Sequence, residues 1–337
     1  MKILLTGGTG YIGSHTAVEL LALDYEVVLV DNLQNSKSSV VERIFKISGK
    51  HPSFINLDVA DEVATSRLLQ REKPDAVMHF AGLKEVARSV ADPLLYYQQN
   101  LTTSISLCSA MAAVGISNLV FSSSATVYGH PERIPLDEAC IATKAFSPYG
   151  QTKIMIEQIL KDLSAARPEF NIVILRYFNP AGAHPSAMIG EDPTGIPSNL
   201  VPFITQVASG QRKELIINGD NYLTKDGTCI RDYIHIQDLA SGHIAAIQKL
   251  QNKCGLVTYN LGTGKGISVK EVVSEFEAAT NQKVPKSIGK RREGDVPSYY
   301  TDPSLAEKEL KWKTNFTIAD ICQDAWRWQV KNPTGYP

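Results

Sequence analysis

Three glycines recur at every third position, Gly7, Gly10 and Gly13, within LLTGGTGYIGSH at residues 4–15. They sit between a short apolar run, Lys2–Leu5, and a helix-like stretch in which Ile12, Val18, Leu20, Leu21 and Leu23 supply one side. A strand that runs straight into a helix leaves backbone N–H groups unpaired at the helix start. Those groups and the helix dipole attract an anion. In such a turn Gly7 permits the tight bend, Gly10 lets a pyrophosphate approach the backbone, and Gly13 lets helix and strand pack closely. The spacing is G-x-x-G-x-x-G, distinct from the G-x-G-x-x-G of ordinary dehydrogenases.

A second apolar run, YEVVLVDN at 25–32, ends in Asp31, 18 residues beyond Gly13. An acid near that distance meets the ribose 2′-hydroxyl of NAD, and its charge repels the 2′-phosphate of NADP. The glycine turn and Asp31 together predict NAD binding.

Further strand-like runs follow at 53–59, 75–82, 118–129 and 171–182, with amphipathic stretches near 61–72, 94–114 and 149–166. This alternation predicts an α/β fold: a Rossmann-type doubly wound parallel sheet with helices on both faces. Ligands of such sheets gather at the carboxyl ends of the strands. That rule places Gly7, Asp31, Asp58, Phe80, Ser124 and Phe178 on one rim. After residue 182 the texture changes to a Pro- and Gly-rich loop at 184–199, then 231–250 reads as a return to the first domain. We expect an NAD-binding domain of residues 1–180 plus about 234–262. A smaller discontinuous α/β domain takes about 181–233 plus 263–337.

The bulk numbers narrow the partners. Net charge is −1 over 337 residues, which gives no basic field for nucleic acid or membrane. No apolar run approaches the ~20 residues of a membrane helix. The five cysteines, at 108, 140, 229, 254 and 322, have no C-x-x-C spacing. They suggest reduced thiols in a cytoplasm, with no disulfide framework and no zinc site. His79 and His235 lie in apolar runs as hydrogen-bonded core histidines, and no metal is assigned.

SPYGQTKIMIEQIL at 147–160 carries Tyr149 and Lys153, four residues apart and so on one helix face. Free tyrosine titrates near 10, and a fall of about three units takes roughly 4 kcal/mol of differential stabilisation. A neighbouring ammonium supplies part of that by favouring the phenolate. Tyr149 is therefore the candidate base, Lys153 its activator, and Ser124, in the serine-rich strand end SSSATVYG, the group that holds a sugar hydroxyl.

At these motifs the chain resembles the extended short-chain dehydrogenase/reductases, and within them the UDP-glucose 4-epimerases. The resemblance rests on GGTGYIGSH, DNLQNSKSS, HFAGLKEV, SSSATVYG, SPYGQTK, LRYFNPAGAHPS, GIPSNLVP, RDYIHIQDLA and RREGDVPSYY, which span nearly the whole chain. It implies that Tyr11, Ile12, Asp31, Asn32, Asn35 and Ser36 touch the adenosine and pyrophosphate side of NAD. Asp58 and Val59 flank adenine, and Phe80, Ala81, Lys84, Tyr177 and Phe178 lie nearer the ribose and nicotinamide. Asn179, Asn199, Leu200, Ile216, Ile217, Arg231, Arg292 and Asp295 belong to the UDP side, and Tyr299 borders the sugar. Arginine suits a pyrophosphate because its planar fork makes paired, charge-assisted hydrogen bonds. Two positions depart from the pattern: Gln99 stands where some relatives have Asn, and Asn218 where an aromatic is common.

The implied reaction is NAD-dependent interconversion of UDP-glucose and UDP-galactose at C4, in galactose metabolism, by a cytoplasmic homodimer. Pairing is implied through two helices per subunit carrying Leu101, Ile105, Met111, Met155, Ile159 and Leu163. A 4,6-dehydratase or decarboxylase of the same fold needs an acid pair after Ser124, where this chain has Ala125 and Thr126. A non-catalytic NAD sensor need not keep Ser124, Tyr149 and Lys153 together.

Overall fold

The fold is that of a computed structural model, which describes residues 1–292 and 294–337. In chain order the first elements are β1 (Lys2–Thr6), α1 (Tyr11–Ala22), β2 (Glu26–Asp31), α2 (Ser39–Ser48), β3 (Ser53–Asn56) and α3 (Glu62–Glu72). Then come β4 (Ala76–His79), α4 (Val86–Ala91), α5 (Pro93–Val114), β5 (Asn118–Ser124), α6 (Pro148–Ala166) and β6 (Asn171–Tyr177). The rest are β7 (Asn179–Ala181), α7 (Leu200–Ala208), β8 (Leu215–Asn218), β9 (Ile230–Arg231), β10 (Tyr233–His235), α8 (Ile236–Leu250) and β11 (Leu256–Leu261). The chain closes with β12 (Ile267–Ser268), α9 (Val269–Thr280), β13 (Lys286–Gly289), β14 (Ser298–Tyr299), α10 (Ser304–Leu310) and α11 (Ile318–Lys331).

One compact unit comprises Met1–Gly129, Ile141–Arg176 and Ala240–Tyr259. Its centre is a seven-stranded sheet in the order β11-β6-β5-β4-β1-β2-β3. The strands β3, β2, β1, β4 and β5 pair in parallel register, as the apolar runs predict. Order reverses at β1, between β2 and β4, and such a switch point is where open α/β sheets form a ligand crevice. The core packs Leu4, Val28, Val77, Leu119 and Ile174 of the sheet against Leu69, Met111 and Leu160 of the helices. Helix α1 is buried on almost every side, from Gly13 to Val18 and at Leu20 and Leu21. Leu23, expected on its apolar face, lies past the helix end and is exposed.

The other unit comprises His130–Cys140, Tyr177–Leu239 and Asn260–Pro337. Among the described residues it holds three small sheets, β10-β7, β12-β9-β14 and β13-β8. Its core joins Val201, Ile204, Leu215, Val272, Phe276 and Ile321. The apolar alternation of β8 and the faces of α7, α9 and α11 supply that cluster.

Four strand-like runs end earlier than their composition suggests, that at 75–82 being strand only to His79. The run at 53–59 is strand only to Asn56; the Asp58 carboxylate then accepts from Ala60 N and shapes a turn. The run at 118–129 leaves the sheet at Ser124 and continues as one turn of 3-10 helix. The run at 171–182 breaks at Phe178, and Asn179–Ala181 pairs instead with β10. Each break sits at a carboxyl end of the large sheet, where backbone turns to build loops.

Candidate active site

The glycine turn is closed to side chains at two of its three positions. Gly7 has φ +68°, and a Cβ there would stand 2.8 Å from Ala81 N. A Cβ on Gly13 would stand 2.4 Å from the Gly7 carbonyl. Gly10 is different: its Cβ would meet only that carbonyl, at 3.2 Å, so its other side is open. Gly10 is the N-cap of α1, no side chain caps the helix, and no acid occupies its first turn. The positive helix end is thus presented to an anion. A dinucleotide's pyrophosphate fits this cradle.

Asp31 ends β2 and organises the adjoining loop. Its Oδ2 accepts from Thr9 N at 3.2 Å, and its Oδ1 accepts from Leu33 N and Ser36 Oγ, each at 2.9 Å. Asn32 Nδ2 donates to Asp58 Oδ2 at 3.1 Å. Asn35 is exposed beside them. Val59 differs: it is buried in the core with Leu4 and Val28. Next to β1, Phe80 N donates to Thr6 O and Ala81 N reaches Thr6 Oγ1. Lys84 Nζ lies 5.9 Å from the centre of the Tyr11 ring. His79 bonds Thr6 Oγ1 at 2.7 Å and Ser104 Oγ at 3.0 Å. Burial, then the Lys153 charge, push its pKa down to about 3, so it is a neutral core histidine.

Helix α6 starts at a Ser147 cap, whose hydroxyl accepts from Gly150 N. That places Tyr149 in its first turn and Lys153 one turn on. Lys153 is buried; its Nζ donates to Ser122 O at 2.7 Å and lies 4.8 Å from the Phe121 ring centre and 5.9 Å from that of Tyr149. Ser124 ends β5 beside them, and Thr126 donates to its Oγ through both N, at 3.3 Å, and Oγ1, at 3.0 Å. Burial pushes the Tyr149 pKa up, and its hydrogen bond with Ser124 opposes this. The expected lowering by Lys153 does not prevail in the chain alone, because desolvation disfavours the phenolate more strongly than its neighbours favour it. Burial likewise lowers the Lys153 pKa, to about 8, with Glu157 pulling it up.

In the second unit Asn179 Nδ2 donates to Asp232 O at 2.8 Å. Asn199 precedes α7 and donates to Glu191 Oε1, and Leu200 opens that helix. The alternation of β8 exposes Ile216 and sends Ile217 into the core, so only Ile216 of this pair presents a surface. Arg231 Nη1 donates to Ile230 O and Val296 O, each at 2.9 Å, and Nη2 to Asp295 Oδ1 at 3.4 Å. Arg292 is exposed. Its neighbour Arg291 lies over the Tyr222 ring. Tyr299 is buried, with its ring centre 5.9 Å from that of Phe178. Tyr177 ends β6 and is also buried.

The motifs and this geometry agree with the comparison to known proteins. Residues 3–262 match the NAD dependent epimerase/dehydratase family. The chain belongs to that family. It is 50% identical over 336 residues to the UDP-glucose 4-epimerase of Bacillus subtilis, covering 100% of this chain and 99% of that one. Its fold is similar to the UDP-glucose 4-epimerase of Stenotrophomonas maltophila with bound NAD and formylated UDP-arabinopyranose, at TM-score 0.97, 49% identity and 99% coverage of each chain. It is similar also to the Bifidobacterium longum enzyme in complex with NAD+ and UDP, at TM-score 0.96, 46% identity and full coverage of both.

Sequence reasoning passed over two buried polar groups that tie the elements around Tyr149 and Lys153 together. One is Asn100, next to the Gln99 that departs from the pattern. It is buried, accepts from Leu83 N at 2.8 Å and donates to Leu83 O and Thr152 Oγ1. It joins the loop after β4 to α6. The other is Glu157, one turn beyond Lys153, paired with Arg176 in the interior. A charged residue at helical spacing inside an apolar run was the available signal for it.

Lys153 makes stability depend on pH. Its folded pKa of about 8 lies below the ordinary 10.5, so the unfolded chain binds more protons between those values. Stability therefore rises with pH from about 8 to 10, before tyrosines titrate. Lys153→Met is expected to flatten that rise in melting temperature, measured by calorimetry across the window. An unchanged slope would contradict the burial of a charged lysine.

Proposed function

We propose that this chain interconverts UDP-glucose and UDP-galactose by oxidation and re-reduction at C4, with NAD as its resident cofactor. The observation that carries this reading is the convergence of Ser124, Tyr149 and Lys153 at the carboxyl end of β5, on the same sheet whose β1 leads into the glycine turn. Gly7, Gly10, Tyr11, Ile12 and Gly13 hold the pyrophosphate, and Asp31, Asn32, Asn35, Ser36, Asp58 and the Val59 backbone hold the adenosine. Phe80, Ala81, Lys84, Tyr177 and Phe178 serve the nicotinamide side. The cofactor supplies a hydride acceptor that can give the hydride back to the same carbon.

Tyr149 takes the proton of the 4-hydroxyl and later returns it. Ser124 orients that hydroxyl through its bond with Tyr149. The Lys153 ammonium favours the phenolate, which burial alone disfavours. Asn179, Asn199, Leu200, Ile216, Arg231 and Arg292 keep the UDP portion in place, with Asp295 fixing the Arg231 fork and Ile217 backing β8. Held by that handle, the 4-keto sugar turns over and is reduced on its opposite face. A dehydratase is disfavoured: Ala125 has no proton to transfer, and the Thr126 hydroxyl already donates to Ser124. Five free cysteines support a reducing, cytoplasmic setting.

UDP-galactose incubated with the purified protein is expected to yield UDP-glucose, and Tyr149→Phe to lower turnover by roughly a hundredfold or more with the fold intact. A phenylalanine variant of near-parent rate would require a different base.

We also propose a homodimer through α5 and α6, which pack on each other. Ile105 and Met155 are exposed there, and Leu101, Ile159 and Leu163 are half-buried beside them. Met111 is excluded from that face because it is wholly buried in the core. Sedimentation at micromolar concentration is expected to give twice the chain mass; a monomer would refute the pairing.

Tyr299 sets sugar size in this reading. Its ring occupies space beside Phe178 that a 2-acetamido group needs. Overfilling a packed site costs about 1–3 kcal/mol. We expect at least a tenfold preference for UDP-glucose and UDP-galactose over UDP-N-acetylglucosamine, narrowed in Tyr299→Cys. Equal efficiency in the parent chain would remove Tyr299 from that role.

A further inference from the structure

Tyr149, Lys153 and Glu157 recur every fourth residue along α6 and so share one face. Glu157 is 2% exposed, yet the reaction above gives it no task. Its carboxylate is fully engaged. Arg176 Nε donates to Oε1 at 2.9 Å and Nη2 to Oε2 at 2.5 Å, while Ser123 Oγ donates to Oε1 at 2.6 Å. Arg176 Nη1 also donates to the Tyr128 hydroxyl at 3.0 Å, in the turn that Ser124 caps. One network therefore joins β5, the turn after it, α6 and β6.

A buried ion pair is weak evidence of stabilisation, since apolar residues of similar volume often do as well. Its location gives the better reason. Lys153 sits over the Phe121 ring, and a buried ammonium with no anion nearby gives up its proton. We propose that Glu157, clamped by Arg176, is a positioning residue that keeps Lys153 charged beside Tyr149. This rests on the reading of Tyr149 as the base.

The Glu157 charge pulls the Lys153 pKa up against burial, which holds it at about 8. Other titratable groups bear on the same place. They are Tyr149 on α6, His79 at the end of β4, Arg176 on β6 and Tyr128 in the turn after β5. Further out on α4 and α5 lie Arg88 and Tyr96, with Glu85 before α4; Tyr96 senses Glu85, Arg88 and Tyr149. His79 is neutral, and Arg176 carries the same sign of charge as Lys153, so neither replaces the carboxylate.

Three variants test this: Glu157→Gln, which keeps the shape; Glu157→Asp, which keeps the charge; and the double variant Glu157→Leu with Arg176→Met, which replaces the pair by apolar packing. Each is purified with its NAD, and two profiles are measured: kcat for UDP-galactose against pH, and melting temperature against pH. In the Gln variant the alkaline limb of kcat is expected to move down by about one unit with KM unchanged, and in the double variant, which also loses the Arg176 charge, by a smaller amount in the same direction. The rise in melting temperature should begin at correspondingly lower pH, and the Asp variant should stay near the parent in both. A folded Gln or double variant with the parent's kcat limb and melting onset would overturn the proposal. A parent chain without turnover would overturn the epimerase reading instead, and the melting onset would still decide whether Glu157 governs Lys153.

Discussion

Helix α1 approaches the turn after β1 more closely than any side chain allows. The 2.4 Å between a hypothetical Gly13 Cβ and the Gly7 carbonyl measures that constraint. Close approach lets α1 be buried on nearly every side, packed against β1 and β2 of the sheet. It also directs the helix's positive end at the rim where β1, β2 and β4 finish. Packing and anion binding thus come from the same missing side chains. Asp31 then fixes the neighbouring loop through three hydrogen bonds, which orders the end of β2 beside that rim.

The opposite half of that sheet solves a harder problem, a charged lysine kept out of water. Burial penalises the Lys153 ammonium and the Tyr149 phenolate alike. Neither group is activated by proximity alone, because each bears its own desolvation. The surroundings answer with fixed dipoles and charges: the Ser122 carbonyl, the Ser124 hydroxyl and the Glu157 carboxylate. Such preorganised groups need no rearrangement when charge develops, which is the usual source of electrostatic catalysis. The buried Glu157–Arg176 pair belongs to the same network, tying α6 to β6 and to the turn that Ser124 caps.

In the second unit a comparable arrangement surrounds Asp232. Burial raises its pKa, and bonds from Thr263, Gly264 and Thr301 oppose that. Its carboxylate gathers the backbone that flanks β9, where Arg231 sits. Its own carbonyl receives the Asn179 amide. Arg231 is held by two carbonyls and Asp295, so its fork has a fixed orientation rather than a surface arginine's freedom.

By itself the sequence determined the parallel sheet, the glycine turn, Asp31 and the Tyr149–Lys153 face. These depend on local spacing: apolar runs of strand length, glycines where backbone must approach backbone, and a four-residue helical repeat. Tertiary structure alone decided what each side chain meets. Val59 and Ile217 carry site-like positions but turn into cores, and Met111 leaves the expected docking face for the same reason. Asn100 becomes a clamp only because Leu83 and Thr152, 17 and 52 residues away, come to lie beside it. Tyr149's rise in pKa and the Glu157–Arg176 pair likewise follow from desolvation and from contacts between separate elements. Those energies depend on how much water folding removes, which spacing along a chain does not encode.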